Sequence, residues 1–152
     1  MAFDPKKFDL AKLELSIDVD GRWRQNDVEI THAGVLAMLY RSLKKMGDGY
    51  FVCAEGLCVP LRVVDCPYVV LAVRPLADGV QLLLTDGAHV LLDPHTLTID
   101  AANVPRCLVR EDGSCARFSR AAWMQLAESI EESGEGGFIL RAGGREYPLK
   151  VG

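Results

Sequence analysis

The run GYFVCAEGLCVPL, Gly49 to Leu61, returns near the end of the chain as GFILRAGGREYPL, Gly137 to Leu149. Gly49/Gly137, Ala54/Ala142, Gly56/Gly144, Pro60/Pro148 and Leu61/Leu149 are identical. The same ungapped displacement lays ITHAGVLAML on FSRAAWMQLA. Each copy reads in one order: strand, Asp-Gly turn, strand, Thr or Ser cap, helix, glycine, hairpin. Two copies are too few, and the period too long, for a solenoid. The chain is therefore expected to be α+β. Its two related halves, 1–61 and 62–152, each carry antiparallel strands, one helix and a hairpin, packed as one unit and joined by a β-meander near residues 62 to 104.

Turn chemistry supports short strands. Alternation of Leu13, Leu15, Ile17 and Val19 gives a half-buried strand, and Asp20-Gly21 turns it into a hairpin. Asp-Gly recurs at Asp48, Asp78, Asp86 and Asp112, each beside an apolar run, as in an antiparallel meander. Further strands are expected near 68–74, 80–85, 89–93 and 97–100, followed by hairpins PRCLVRE/SCARF and GFILRA/REYPLKV. In THAGVLAMLYRSLKK, Thr31 is the expected cap, Val35, Leu36, Leu39, Leu43 and Met46 the apolar face, and Lys44 and Lys45 the C-terminal charges. In SRAAWMQLAESIEES, Ser119 caps, Trp123, Met124, Ala127 and Ile130 share a side, and Gly134 and Gly136 stop the helix. Arg41, Lys44 and Lys45 make the first helix basic, whereas Glu128, Glu131, Glu132 and Glu135 make the second acidic. The run of antiparallel strands that ends in the second helix has the element order of a pleckstrin-homology-like barrel, an analogy of shape alone.

A length of 152 residues with 49% hydrophobic content supplies a real core without staples. No apolar stretch approaches a membrane span, and the opening MAFDPKKFDLAKL has no signal-peptide pattern, so a cytoplasmic protein with no membrane partner is expected. A net charge of −4 gives no field that gathers phosphates, so nucleic acid is not an expected partner. The five cysteines, at positions 53, 58, 66, 107 and 115, show no CxxC pair or repeated ligand spacing. Reduced, mostly buried thiols are expected. Cys53 and Cys58 become Arg141 and Glu146 in the second copy, so they read as strand residues flanking a turn.

Candidate chemistry is sparse. Asp86, His89, Asp93, His95 and Asp100 combine acids and imidazoles, but Asp86 and Asp93 stand before Gly and Pro where turns need them, so no metal or other cofactor is expected. His32 aligns with Arg120 and reads as a surface cation in the first helical turn. Asp65 next to Cys66 opposes thiolate formation. Cys115, between Arg110 and Arg117, is the better candidate nucleophile. Nucleophile elbow, phosphate loop and dinucleotide fingerprint are all missing. Arg110, Arg117 and Arg120 form a compact arginine group. Arg110 and Arg117 with Trp23 and Asp65 are the residues expected to line a binding cleft between the halves.

Several stretches carry a family resemblance. DGRW, ITHAGVLAMLYRSL, DGYFVCAEGLCVPLRVVDCPYVV, LTDGAHVLLDPHTL and VPRCLVREDGSCARFSRAAWMQLAE fall in the order seen in the bacterial family called domain of unknown function twelve eighty-five. VVDCPYVV is similar to a family pattern of Val-acid-Asp-Ala-Pro-aromatic over Val63, Val64, Asp65, Cys66, Pro67 and Tyr68. LVREDGSCARF resembles a second pattern with Arg110 and Ala116 in register. Val64 and Cys115 depart from it, standing where the family tends to have acids. The resemblance implies a duplicated core, a C-terminal half superficially like a pleckstrin-homology fold, a site between the halves, and a link to signalling or nutrient sensing without an established reaction. The resulting expectation is a non-catalytic module for an unknown small ligand or protein partner. The alternatives are an enzyme using Cys115 and a non-catalytic subunit of an oligomer.

Overall fold

Asp18, rather than Asp20, organises the first turn: its Oδ1 accepts the amides of Asp20 (3.0 Å) and Arg22 (2.9 Å), and Gly21 takes φ 83°. This sets β1 (Leu15–Ile17) antiparallel to β2 (Trp23–Gln25), with Ile17 opposite Trp23. Asn26 and Asp27, both left-handed, then turn the chain into β3 (Val28–Glu29), a strand the sequence pattern did not announce. The computed structural model describes residues 14–134 and 136–151; residues 1–13, Leu13 among them, Glu135 and Gly152 lie outside them.

Helix α1 (Ala33–Ser42) is capped by His32 and not by Thr31. The imidazole Nδ1 accepts the amides of Gly34 (3.1 Å) and Val35 (3.3 Å). His32 is thus the capping acceptor at the helix start, a role its alignment with Arg120 did not suggest. Gly34 makes room for it, since a Cβ there would sit 3.0 Å from the His32 ring. The helix is also shorter than its apolar periodicity suggested. Leu43 turns extended (φ −71°, ψ 127°) and starts β4 (Leu43–Met46), which pairs with β5 (Gly49–Ala54). Lys44 and Lys45 therefore lie on a strand, Met46 is exposed, and the buried helix face is Val35 and Leu39. A two-residue turn at Glu55-Gly56 leads into β6 (Leu57–Val63), whose Leu61 lies beside Leu15 in a parallel pairing with β1. The sheet order is β3-β2-β1-β6-β5-β4, with α1 packed on β5.

The chain forms two compact units, one through Pro67 and one from Tyr68 onward. The second begins with the expected meander: β7 (Tyr68–Leu76), β8 (Gly79–Leu84), β9 (His89–Leu91), a 3-10 turn Pro94–Thr96 and β10 (Thr98–Ile99). β11 (Pro105–Leu108) and β12 (Cys115–Phe118) make the hairpin around Asp112-Gly113. Helix α2 (Arg120–Ala127) follows, with Ser119 Oγ accepting the Ala122 amide at 3.1 Å as expected. It too yields early to a strand, β13 (Ile130–Glu132), which pairs with β14 (Phe138–Ala142) and then β15 (Arg145–Pro148). Gly134 and Gly136 consequently lie in the following turn and stop no helix. β16 (Lys150–Val151) pairs parallel with β10.

Two sheets result, β16-β10-β11-β12-β7-β8-β9 and β13-β14-β15. Strands precede α2 in the order expected of the barrel analogy, but β12 joins β7 in parallel. The α2 face is shifted as well. Ala122 and Leu126 are fully buried against β7 and β12, whereas Trp123 is half-buried and Met124 is 65% exposed. The helix lies on Val73, whose amide donates to Gln125 Oε1 (2.7 Å) beside a β-bulge at Val70/Ala72.

The element order α-β-β-β thus occurs twice, α1-β4-β5-β6 and α2-β13-β14-β15, which is the structural form of the duplication. The hairpins share one register. Phe51↔Pro60, Val52↔Val59, Cys53↔Cys58 and Ala54↔Leu57 correspond to Ile139↔Pro148, Leu140↔Tyr147, Arg141↔Glu146 and Ala142↔Arg145. One expectation fails at this site. Cys53 and Cys58 are joined in a disulfide, so the chain is not uniformly reduced. The cause is the register, which places the two side chains directly across the ladder.

The position of the α2 face is open to test. Leu126→Ala is expected to lower unfolding free energy by about 2–5 kcal/mol in urea titrations, as for a fully buried leucine, while Met124→Ala changes it by less than about 0.5 kcal/mol. Equal losses at the two positions contradict the packing.

Candidate functional site

Arg110 follows the β11 strand, and the inserted meander holds its guanidinium. Nη2 donates to Asp86 Oδ2 at 2.6 Å, the charge centre lies 4.8 Å over the Tyr68 ring, and Nη1 reaches the Val109 carbonyl at 3.3 Å. Asp86 has a second role, because its other oxygen accepts the Ala88 amide (3.0 Å) and shapes the β8–β9 turn. The pair is only partly exposed, at 30% and 14%, so its charge-assisted hydrogen bond is less screened than one at the surface. Tyr68 is 4% exposed. Burial pushes its phenol above the ordinary tyrosine value, and the Arg110 charge pulls part of the way back.

The other expected site residues are distributed. Trp23 and Asp65 belong to the first unit, Arg110 and Arg117 to the second. Trp23 is 1% exposed and meets Tyr40 edge to face at 5.3 Å; its Nε1–H is buried without a hydrogen-bond acceptor. Asp65 Oδ1 lies 3.9 Å from Cys66 Sγ. Arg117 is half-buried on β12, across from Arg106, which itself binds Asp100 Oδ2 at 2.7 Å.

Cys115 is half-buried opposite Leu108. Arg110, one of the two cations invoked to activate it, is turned toward Asp86 and Tyr68 instead. The neighbouring Cys107 is buried, and burial above all pushes its thiol up to about 12. Of the acids read as turn residues, Asp93 accepts the His95 amide and Asp112 that of Ser114. Asp100, expected at the end of a strand, shapes a turn as well by accepting the amides of Ala102 and Val104. His95 packs on Tyr147 at 5.4 Å. No group of three or more His, Cys, Asp or Glu placed to hold a metal occurs among the described residues.

A groove that sequence reasoning missed lies in the first unit. Asn26 in the β2–β3 turn exchanges hydrogen bonds with the Glu14 backbone, which brings Asp27 beside the start of β1. Glu14 and Asp27, together with Ser16, Pro60 and Arg62, line a half-open space of about 460 Å³. The only signal for it was the left-handed Asn26-Asp27 turn. The parallel β1–β6 pairing that brings Arg62 level with Ser16 joins distant segments and has no local signature.

No family model matches the sequence, and no curated protein matches it. Solved structures do. A DUF1285 family protein from Silicibacter pomeroyi aligns with TM-score 0.76 at 22% identity, covering 91% of this chain and 80% of that one. A DUF1285 family protein from Shewanella baltica aligns with TM-score 0.66 at 15% identity, covering 77% of this chain and 92% of the other. The fold is that of DUF1285 proteins. The duplicated α+β core is therefore common to these DUF1285 structures and this chain, and the identities are those at which likeness speaks for fold alone. No helix among the described residues is long and apolar enough to cross a membrane.

The Tyr68–Arg110 contact has a spectroscopic test. Tyrosinate absorbance should show a phenol of the wild type ionising above the ordinary tyrosine value, absent in Tyr68→Phe and moved further up in Arg110→Ala. Because the folded value is raised, stability from neutral Tyr68 is full below the unfolded value and is lost as pH rises through the folded one. Alkaline destabilisation should accordingly be weaker in Tyr68→Phe, measured by urea unfolding across that range.

Proposed function

We propose that this chain is a non-catalytic binding module of the DUF1285 family, acting in bacterial signalling or nutrient sensing, and that it takes an anionic ligand or an acidic peptide segment at Arg110. The observation that carries the reading is the pre-positioned guanidinium. Asp86 and Tyr68 fix it at 30% exposure, so little side-chain entropy remains to be lost on binding. Its five N–H donors exceed what Asp86, Val109 and Tyr68 engage. A carboxylate or phosphate completing that fork makes charge-assisted hydrogen bonds, and Arg117 is the candidate second cation. The fit with family members linked to signalling adds context and no residue.

A second reading rests on the first-unit groove. Its lining combines the acids Glu14 and Asp27, the cation Arg62 and the apolar Leu15 and Val59, a set suited to a small ligand with both an amine and an acid group.

One thermal-shift experiment separates the two. Anionic metabolites and acidic peptides are expected to raise the melting temperature of the wild type by about 5–10 °C at 100-fold the dissociation constant. The shift should be lost in Arg110→Ala, weakened in Arg110→Lys and kept in Arg62→Ala. Loss in Arg62→Ala with retention in Arg110→Ala assigns binding to the groove. No shift with any compound, together with partner capture unchanged by Arg110→Ala and Arg117→Ala, removes the binding reading.

A further inference from the structure

We propose that Cys53 and Cys58 are a reversible dithiol–disulfide couple at the surface of the first unit, exchanging with dithiol reductants, and not a staple that the hairpin needs in order to fold. The ladder holds the two residues together independently of the bond. They are the first pair beyond the Ala54↔Leu57 pair that closes the Glu55-Gly56 turn, with Cα atoms 4.1 Å apart. This is the close, non-hydrogen-bonded position of an antiparallel pair, where side chains approach most nearly. Reduction therefore leaves the thiols facing each other, poised to re-form the bond.

The duplicated hairpin supplies an internal control. At the same register, in a turn of the same length, the second copy has Arg141 and Glu146, joined by an ion pair at 3.0 Å with both side chains more than half exposed. An exposed ion pair stabilises weakly, yet this hairpin forms in identical register. The geometry thus does not require a covalent link. A bond across so short a loop also removes little freedom from the unfolded chain.

Access completes the argument. Cys58 is exposed and Cys53 half-buried, next to exposed Glu55, Gly56 and Leu57. Cys66 and Cys107 are buried, so chemistry at the turn is separate from theirs. In the exchange, a thiolate of the dithiol attacks Cys58 Sγ, the S–S bond breaks, and Cys53 leaves as the thiolate. The second thiol of the reductant then attacks the mixed disulfide and releases Cys58. The reductant ends as a disulfide, and two electrons and two protons reside on Cys53 and Cys58.

The test equilibrates the folded protein with mixtures of reduced and oxidised dithiothreitol, traps thiols with iodoacetamide and locates adducts by peptide mass spectrometry. Two adducts, on Cys53 and Cys58, should appear together while circular dichroism is unchanged, and disappear on return to oxidised dithiothreitol. The Cys53→Arg/Cys58→Glu variant, which copies the second hairpin, and a Cys53→Ser/Cys58→Ser variant should keep the wild-type spectrum and melt within about 5 °C of it. The proposal is overturned by a bond that opens only on unfolding, by both residues alkylating in protein never exposed to reductant, or by failure of both variants to fold.

Discussion

Two adjacent left-handed residues close the hairpin after each helix, and the burial pattern of each half is registered from them. Glu55 and Gly56 take φ 52° and 80°, Gly143 and Gly144 take φ 59° and 75°. Such a turn matches the right-handed twist of the flanking strands. A slip of one residue would carry Val52, Val59 and Leu61, or Leu140 and Ala142, from the core face to solvent. The copies meet this constraint at different cost. Glu55 bears the left-handed penalty of a side chain, about 1–2 kcal/mol, in open surroundings. Position 143 cannot, because a Cβ there would lie 2.9 Å from the backbone of Asp78 in the β7–β8 turn. Glycine at Gly143 thus answers a close approach that the first copy lacks.

What the sequence disclosed and what it concealed follow from the range of the forces involved. Every Asp-Gly dipeptide lies at a turn, since the chemistry that bends the backbone there is confined to a few neighbouring atoms. The helix C-termini were hidden because Leu43 and Ile130 continue the helical spacing while also suiting a strand, and a short apolar run fits either period. Lys44 and Lys45, plausible helix-end charges, are ordinary residues of β4. The contrast between basic and acidic helices accordingly becomes one between two equivalent strands, with Glu131 paired to Arg141 at 3.0 Å. The parallel pairings β1–β6, β7–β12 and β10–β16 join segments far apart in the chain and leave no local trace. Cys53 and Cys58 were correctly placed as residues flanking a turn. Facing each other across it is what makes the disulfide possible.

The same logic explains the candidate site. The arginine group and the turn role of Asp86 were each legible, but their meeting depends on β8 and β9 being laid beside β7, and β7 beside β12. The displacement that superposes the two hairpins also places Arg22 on Arg110. In the first copy Arg22 is largely exposed, 3.7 Å from Glu29 in a pair that solvent screens. In the second, the inserted meander supplies both partners, Tyr68 from β7 and Asp86 from the β8–β9 turn, and each is more buried than Glu29. An arginine at one repeat position is thus an exposed, solvent-screened charge in one copy and a fixed, partly desolvated cation in the other. The insertion makes the difference between these two repeat positions, so a binding role at Arg110 belongs to the composite of repeat and meander.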